Sequence, residues 1–207
     1  MHALQEVWIR PRKVFRELAD RPVGAADFLL SAAQGMVGIL VLSRMKGLGA
    51  SVGVAEIMLK AALQGAVSGI AIIWIQAWIY TWLGRHAGGV ASKSQVIHVL
   101  AYGSTPLVAS LGIWCLAVVL LGEQAFIERP GGETDPFVAL LMTLQVSAHV
   151  LLAIWSAILQ VMGLSEMHKV RTGGALGTWL LGQFVAVFAL VIIMLVLVGM
   201  GMPLPQT

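Results

Sequence analysis

The sequence predicts an all-α protein: a polytopic transmembrane helical bundle of five spans, preceded by a short amphipathic interfacial helix. Three observations predict it. Apolar side chains make up 58% of the 207 residues and charged ones only 11%, against about 25% charge in an average soluble domain. The apolar residues are gathered into five stretches near bilayer length rather than into the short periods of a globular core. The basic residues fall between those stretches and are distributed unevenly over alternate connectors, the pattern that orients a chain in a membrane.

Residues 1–24 form a basic interfacial segment. Leu4, Val7, Trp8, Val14, Phe15 and Leu18 recur at helical spacing, while Arg10, Arg12, Lys13 and Arg16 fall between them. A helix of this pattern lays its apolar face in the headgroup boundary and offers its arginines to anionic lipid. Pro11 either kinks it or begins its second part. The plainer alternative is a solvated basic lead-in that only fixes orientation. Residues 1–26 have no continuous apolar core followed by a cleavage site, so the first hydrophobic segment is expected to stay in the mature protein.

A hydrocarbon layer about 30 Å thick takes about 20 mostly apolar helical residues, because every backbone polar group inside it must be bonded internally. Spans are predicted over 25–42, 57–83, 99–121, 137–162 and 175–200, giving a transmembrane domain over 25–202 and a short tail over 203–207. The connectors carry the glycines, prolines and charges that are costly in lipid. With five crossings, Arg10, Arg12, Lys13, Arg16, Arg21, Arg85, Lys93, Lys169 and Arg171 share one side. Only Arg44, Lys46, Lys60 and Arg129 lie on the other. That bias puts the amino terminus in the cytoplasm. The third connector, with Glu123, Glu128, Glu133 and Asp135, then faces outward together with the tail. The net charge of +3 is thus read as membrane orientation, and no nucleic-acid partner is expected.

Few side chains within the spans carry chemistry. Asp27, at the start of the first span, reads as a cap at the favourable end of a helix dipole, within reach of water, and secondarily as a proton relay. His149, near the middle of the fourth span, is either an imidazole bonded to Gln145 one turn earlier or to another helix, or else a haem ligand, metal ligand or proton acceptor. His86, His98 and His168 are expected at the interface. Gln34, Gln64, Gln145 and Gln183 are the amides that a solute pathway would draw on, with Gln76 and Gln160 also inside spans. The single Cys115 excludes an intrachain disulfide and a cysteine zinc site. No nucleophile elbow, acid pair or metal pair is visible, so neither a catalytic residue nor a cofactor is expected.

Two glycine pairs, Gly65 with Gly69 and Gly173 with Gly177, predict close helix approach within the bundle. Trp74, Trp78, Tyr80 and Trp82 predict anchoring of the second span at the interface. Pro106 predicts a kink in the third span, freeing the Tyr102 carbonyl for Ser104, Thr105 or a facing helix. The kink is either a packing feature or a moving hinge.

These features together resemble the Yip family of Ypt/Rab-interacting membrane proteins, and most closely its short prokaryotic type. Trp8, Ile9, Arg10 and Pro11 followed by Phe15 and Pro22 look like the prokaryotic lead-in. The 84–89 connector, with Gly88 and Gly89, precedes the third span as in that family. Ala101, Tyr102 and Pro106 keep the spacing of its Gly-Tyr-x-Leu-x-Pro element, with Ala101 for the glycine and Ser104 for the leucine. Trp155, Leu159, Gly163, Leu164 and His168 are similar to its fourth span and the turn after it.

The resemblance implies five crossings, a cytoplasmic amino terminus and a non-enzymatic scaffold or adaptor that binds other membrane proteins or organises lipid. The short lead-in favours a bacterial inner membrane. A small transporter or channel lined by Gln34, Gln64, Gln145 and His149 is the alternative, and a redox-complex anchor with His149 as axial ligand is a third reading.

Overall fold

In the computed structural model, residues 2–127 and 135–199 are described, with side chains followed as far as Phe188. Glu128, Arg129, Glu133 and the 203–207 tail, which the charge count placed outside, lie beyond the described residues. The described chain is helical, in the order α1 (His2–Glu6), α2 (Pro11–Leu18), α3 (Ala25–Met45), α4 (Val54–Lys60), α5 (Ala66–His86), α6 (Lys93–Gly103), α7 (Thr105–Leu121), α8 (Pro136–His168) and α9 (Thr172–Gly199).

A π-helical turn, Ala61–Gly65, joins α4 to α5 without a break. Four helical runs are long and apolar enough to cross a membrane: Ala25–Met45, Val54–His86, Lys93–Phe126 and Pro136–His168. They make the chain an integral, multi-pass membrane protein. Helix α9, of 28 residues, packs against α5 and α8.

Helix boundaries follow local chemistry. Proline at the first position, where its missing N–H is not needed, starts both α2 and α8. Asp135 caps α8 by accepting from the Phe137 amide at 2.8 Å. Ser92 and Gln95 form a reciprocal capping box at the start of α6, at 3.3 and 2.9 Å, so that helix begins six residues before the predicted span. At 33 residues α8 is about 50 Å long, well beyond the roughly 30 Å hydrocarbon layer. Its last two turns leave the predicted span and enter a protein core.

That core lies at the end of the bundle where α1, α2 and the tips of α5, α6 and α8 meet. Val7, Val14, Phe15 and Leu18 are fully buried there against Val96, Val99, Leu100 and Leu164. Of the apolar face expected in the headgroup boundary, these four lead-in side chains are therefore covered by the protein itself, while Leu4 is exposed and Trp8 half-buried. Pro11 begins the second part of the lead-in, one of the two predicted outcomes.

A smaller core occupies the opposite end, where Trp114 stacks on Phe126 with ring centres 5.5 Å apart and Leu40 and Ile57 complete the packing. Between the two ends, α3 crosses the α4–α5 run on glycines. A β-carbon on Gly35 would strike the backbone of Gly65 and Gly69, and one on Gly69 would strike the Ser31 carbonyl. This gives the close approach that the first glycine pair predicts. The second pair does not, since Gly173 and Gly177 have open space where a side chain would stand.

Candidate functional site

Asp27 occupies the third position of α3, and the Gly24 amide donates to its Oδ2 at 2.9 Å, so it caps the helix. It does not reach water. Only 4% exposed, it turns Oδ1 to His98 Nδ1 at 2.7 Å. The other imidazole nitrogen, Nε2, lies 3.0 Å from the Arg21 carbonyl. His98, expected at the interface, is instead 1% exposed. The pair ties the last turn of the lead-in to α3 and α6, satisfying groups that are expensive to bury alone.

His168 is likewise no interfacial residue. Its ring fills the space left by Gly84 and Gly89, its Nδ1 receives the Ala91 amide at 3.4 Å, and its carbonyl receives the Val90 amide at 3.2 Å. Glycine at 84 and 89 is what lets the imidazole in. Gln95 Nε2 donates to the Ala19 carbonyl at 3.1 Å, and Arg16 meets Glu166 at 3.2 Å. Arg12 reaches Thr172 Oγ1 at 3.4 Å.

The lead-in and the connectors that precede α6 and α9 are thereby gathered into one hydrogen-bonded platform. Around its edge Arg10, Arg12, Lys13, Arg16, Arg21, Arg85, Lys93, Lys169 and Arg171 are all exposed. Trp8 is half-buried and Phe15 fully buried, so of the predicted interface residues the four cations face outward and Phe15 does not. Lys13 bonds Glu6 at 2.7 Å, and that bond holds its ammonium above the ordinary lysine value.

Tyr102 and Pro106 flank a break. Helix α6 ends at Gly103, and α7 starts at Thr105 with Pro106 in its first turn. The Tyr102 carbonyl receives the Thr105 hydroxyl at 2.9 Å, one of the three partners the sequence offers, and the Gly103 carbonyl receives the Ser156 hydroxyl of α8 at 2.7 Å. Of the aromatic cluster, Trp74, Trp78 and Trp82 face outward, with the Lys93 ammonium 4.7 Å above the Trp74 ring. Tyr80 is buried against Gly182 and makes a marginal 3.5 Å bond to the Trp179 carbonyl.

A model of the Yip1 domain matches residues 6–200. The chain belongs to the Yip1 family. No curated protein and no solved structure matches it. Two of the stretches that carried the family likeness converge in the structure: the Tyr102–Pro106 break of this Yip1 domain leans on α8 through Gly103 and Ser156, one turn from the Gln160 methylene chain packed on Gly103.

Away from the platform, the Yip1 domain contains a polar seam. His149 and Gln34 line a groove of about 510 Å³ beside α3. His149 also lines a cleft of about 350 Å³ with Arg44, Gln145 and Trp114. Gln34 continues into a third space with Gln76, Gln160 and Gln183. Gln145, one of the partners the sequence offers His149, instead accepts from Arg44 at 2.8 Å. Gln34 Oε1, Gln145 Nε2 and His149 Nδ1 are buried atoms without a hydrogen-bond partner among the described residues. Gln64 is exposed and stands apart from this group.

Sequence reasoning missed the Asp27–His98 pair, although these are the two ionisable side chains nearest the predicted starts of the first and third spans. In the sequence Arg44 is only a connector charge, because nothing in its local pattern signals a partner 101 residues away.

Proposed function

We propose that the chain is a non-enzymatic scaffold or adaptor of a bacterial inner membrane. In this reading it crosses five times, with α9 as the fifth span, and displays its platform in the cytoplasm. The observation that carries it is the exposed ring of arginines and lysines around an interior closed by hydrogen bonds and packed apolar residues. A rigid, cationic, water-facing surface on a membrane domain is suited to the acidic segments of other membrane proteins and to anionic headgroups. Residues 1–24 form part of that surface, and Asp27 and Tyr102–Pro106 serve to position it. The basic residues flanking the spans favour this orientation.

Two experiments test it. Purification from native membranes in a mild detergent is expected to recover a stoichiometric companion that Arg12→Glu combined with Lys169→Glu releases without disturbing the fold. Recovery of the protein alone at every salt concentration counts against the adaptor. Reporters fused after Thr207 and near Gly131 are expected to register on the outer side, and a cytoplasmic signal from either one removes the five-span orientation.

The second reading, a small transporter, is favoured by the convergence of Gln34, Gln145, Gln183 and His149 on connected spaces. Its measurement is solute flux in liposomes, and flux abolished by His149→Ala supports it over the scaffold.

A further inference from the structure

The Arg44 cleft holds polar atoms that the described chain leaves unused. Gln145 is only 5% exposed, yet its Nε2 has no partner, while its Oε1 is committed to Arg44. An amide nitrogen can only donate, so the missing partner is an oxygen. One turn deeper on α8, His149 Nδ1 is also buried without a partner in the same cleft. The guanidinium in the wall selects an oxygen that carries negative charge. Leaving such donors unmet is costly, by an amount comparable to a hydrogen bond each.

The surroundings define the rest of the ligand. On the other side of Gln145, an almost wholly apolar groove of about 260 Å³ runs between α7 and α8, bordered by Leu116, Leu120, Leu141 and Leu144. From His149 the 510 Å³ groove follows α3 past Val37 and Leu42 to Ile72. Leu116, Leu120, Leu144, Leu42 and Ile72 are exposed, so both grooves open sideways where hydrocarbon surrounds the protein. Arg44 sits in the last turn of α3, where a span reaches the headgroup level. One polar seat flanked by two apolar grooves matches an anionic head with two chains.

We propose that the cleft between α3 and α8 seats one anionic glycerophospholipid. Its phosphate oxygens accept from Gln145 Nε2, from His149 in its Nδ1–H tautomer and from the Arg44 guanidinium, and its acyl chains lie in the two flanking grooves. The site is separate from the platform and does not rest on the adaptor reading.

The test is native mass spectrometry of the full chain in detergent, titrated with dioleoylphosphatidylglycerol, with dioleoylphosphatidylcholine, and with glycerol 3-phosphate as a head without chains. One phosphatidylglycerol per chain is expected to stay bound. Phosphatidylcholine keeps the same phosphate oxygens but should bind about tenfold more weakly, because its choline cation cancels the net negative charge that the Arg44 guanidinium attracts, and glycerol 3-phosphate should not displace the lipid. Gln145→Glu keeps the side-chain shape and an oxygen for Arg44 while removing the donor. It and His149→Phe should each lower retention about tenfold, with Gln64→Leu unchanged.

Melting curves in lipid-free detergent establish that the variants fold, and His149→Phe gives the same reading where Gln145→Glu does not. Equal retention of the two lipids overturns the proposal, as does retention indifferent to both variants. Binding of glycerol 3-phosphate as tight as that of the lipid overturns it too, because the seat is then an anion site rather than a lipid site.

Discussion

At the platform, buried polar groups find one another: Asp27 serves Gly24 and His98, His98 serves Arg21, and Gln95 serves Ala19 and Ser92. His168 Nε2 is the one buried side-chain atom there without a partner among the described residues. In the seam, Gln34, Gln145 and His149 each retain such an atom, and they line neighbouring spaces that share wall residues. Both regions are built from helices of the same chain and share α3 and α8. The difference lies in what completes them: the platform is closed by its own residues, whereas the seam has donors and acceptors to offer. Full satisfaction specifies one rigid arrangement, and incomplete satisfaction marks a place where something else belongs.

Substitutions at the two regions should therefore differ in size and in sign. The largest effect is expected from Phe15→Ala, which empties a fully buried position between α2 and α8. A loss of about 4 kcal/mol is expected, read as a lower melting temperature in detergent and as trypsin cleavage at the lead-in arginines. Undiminished protease resistance would mean that α2 is held by something other than its core face.

Asp27→Ala comes next, at about 3 kcal/mol, because it strips a partner from both His98 and the Gly24 amide. Asp27→Ala combined with His98→Ala should lose less than the sum of the two single changes, and strict additivity would dissolve the pair. Ser156→Ala removes the donor to the Gly103 carbonyl and should cost about 1 kcal/mol. In the seam the sign is expected to turn: His149→Leu, measured in lipid-free detergent, should leave the melting temperature unchanged or raise it slightly, since it removes a buried polar atom with no partner. A marked drop would move His149 into the same class as the platform residues.

Much of the architecture was legible in the sequence because lipid imposes simple rules on length and charge. Four of the predicted spans correspond to runs of sufficient length and apolarity, and the helix over the fifth was placed to within a few residues at its start. The Pro106 break and the carbonyl it frees followed from the chemistry of one residue. Long-range partners did not follow. Nothing in a linear pattern says that His98 faces Asp27, or that Phe15 turns toward Gly163 rather than toward lipid, because an apolar stripe is the same whether a membrane or a neighbouring helix covers it. The clearest missed signal was local: Ser92 and Gln95 announce a helix start that hydropathy alone placed too late.

The length of α8 has a mechanical consequence. About 29 Å of unbroken helix, at 1.5 Å per residue, separates Gln145 in the lipid-facing cleft from Leu164 in the platform core. Turning that rod by a single residue, about 100°, would swing His149 out of the cleft and lift the His168 ring off Gly84 in one movement. A grip on the platform end of this axle would thus be felt at its far shoulder, where the helix meets the surrounding oil.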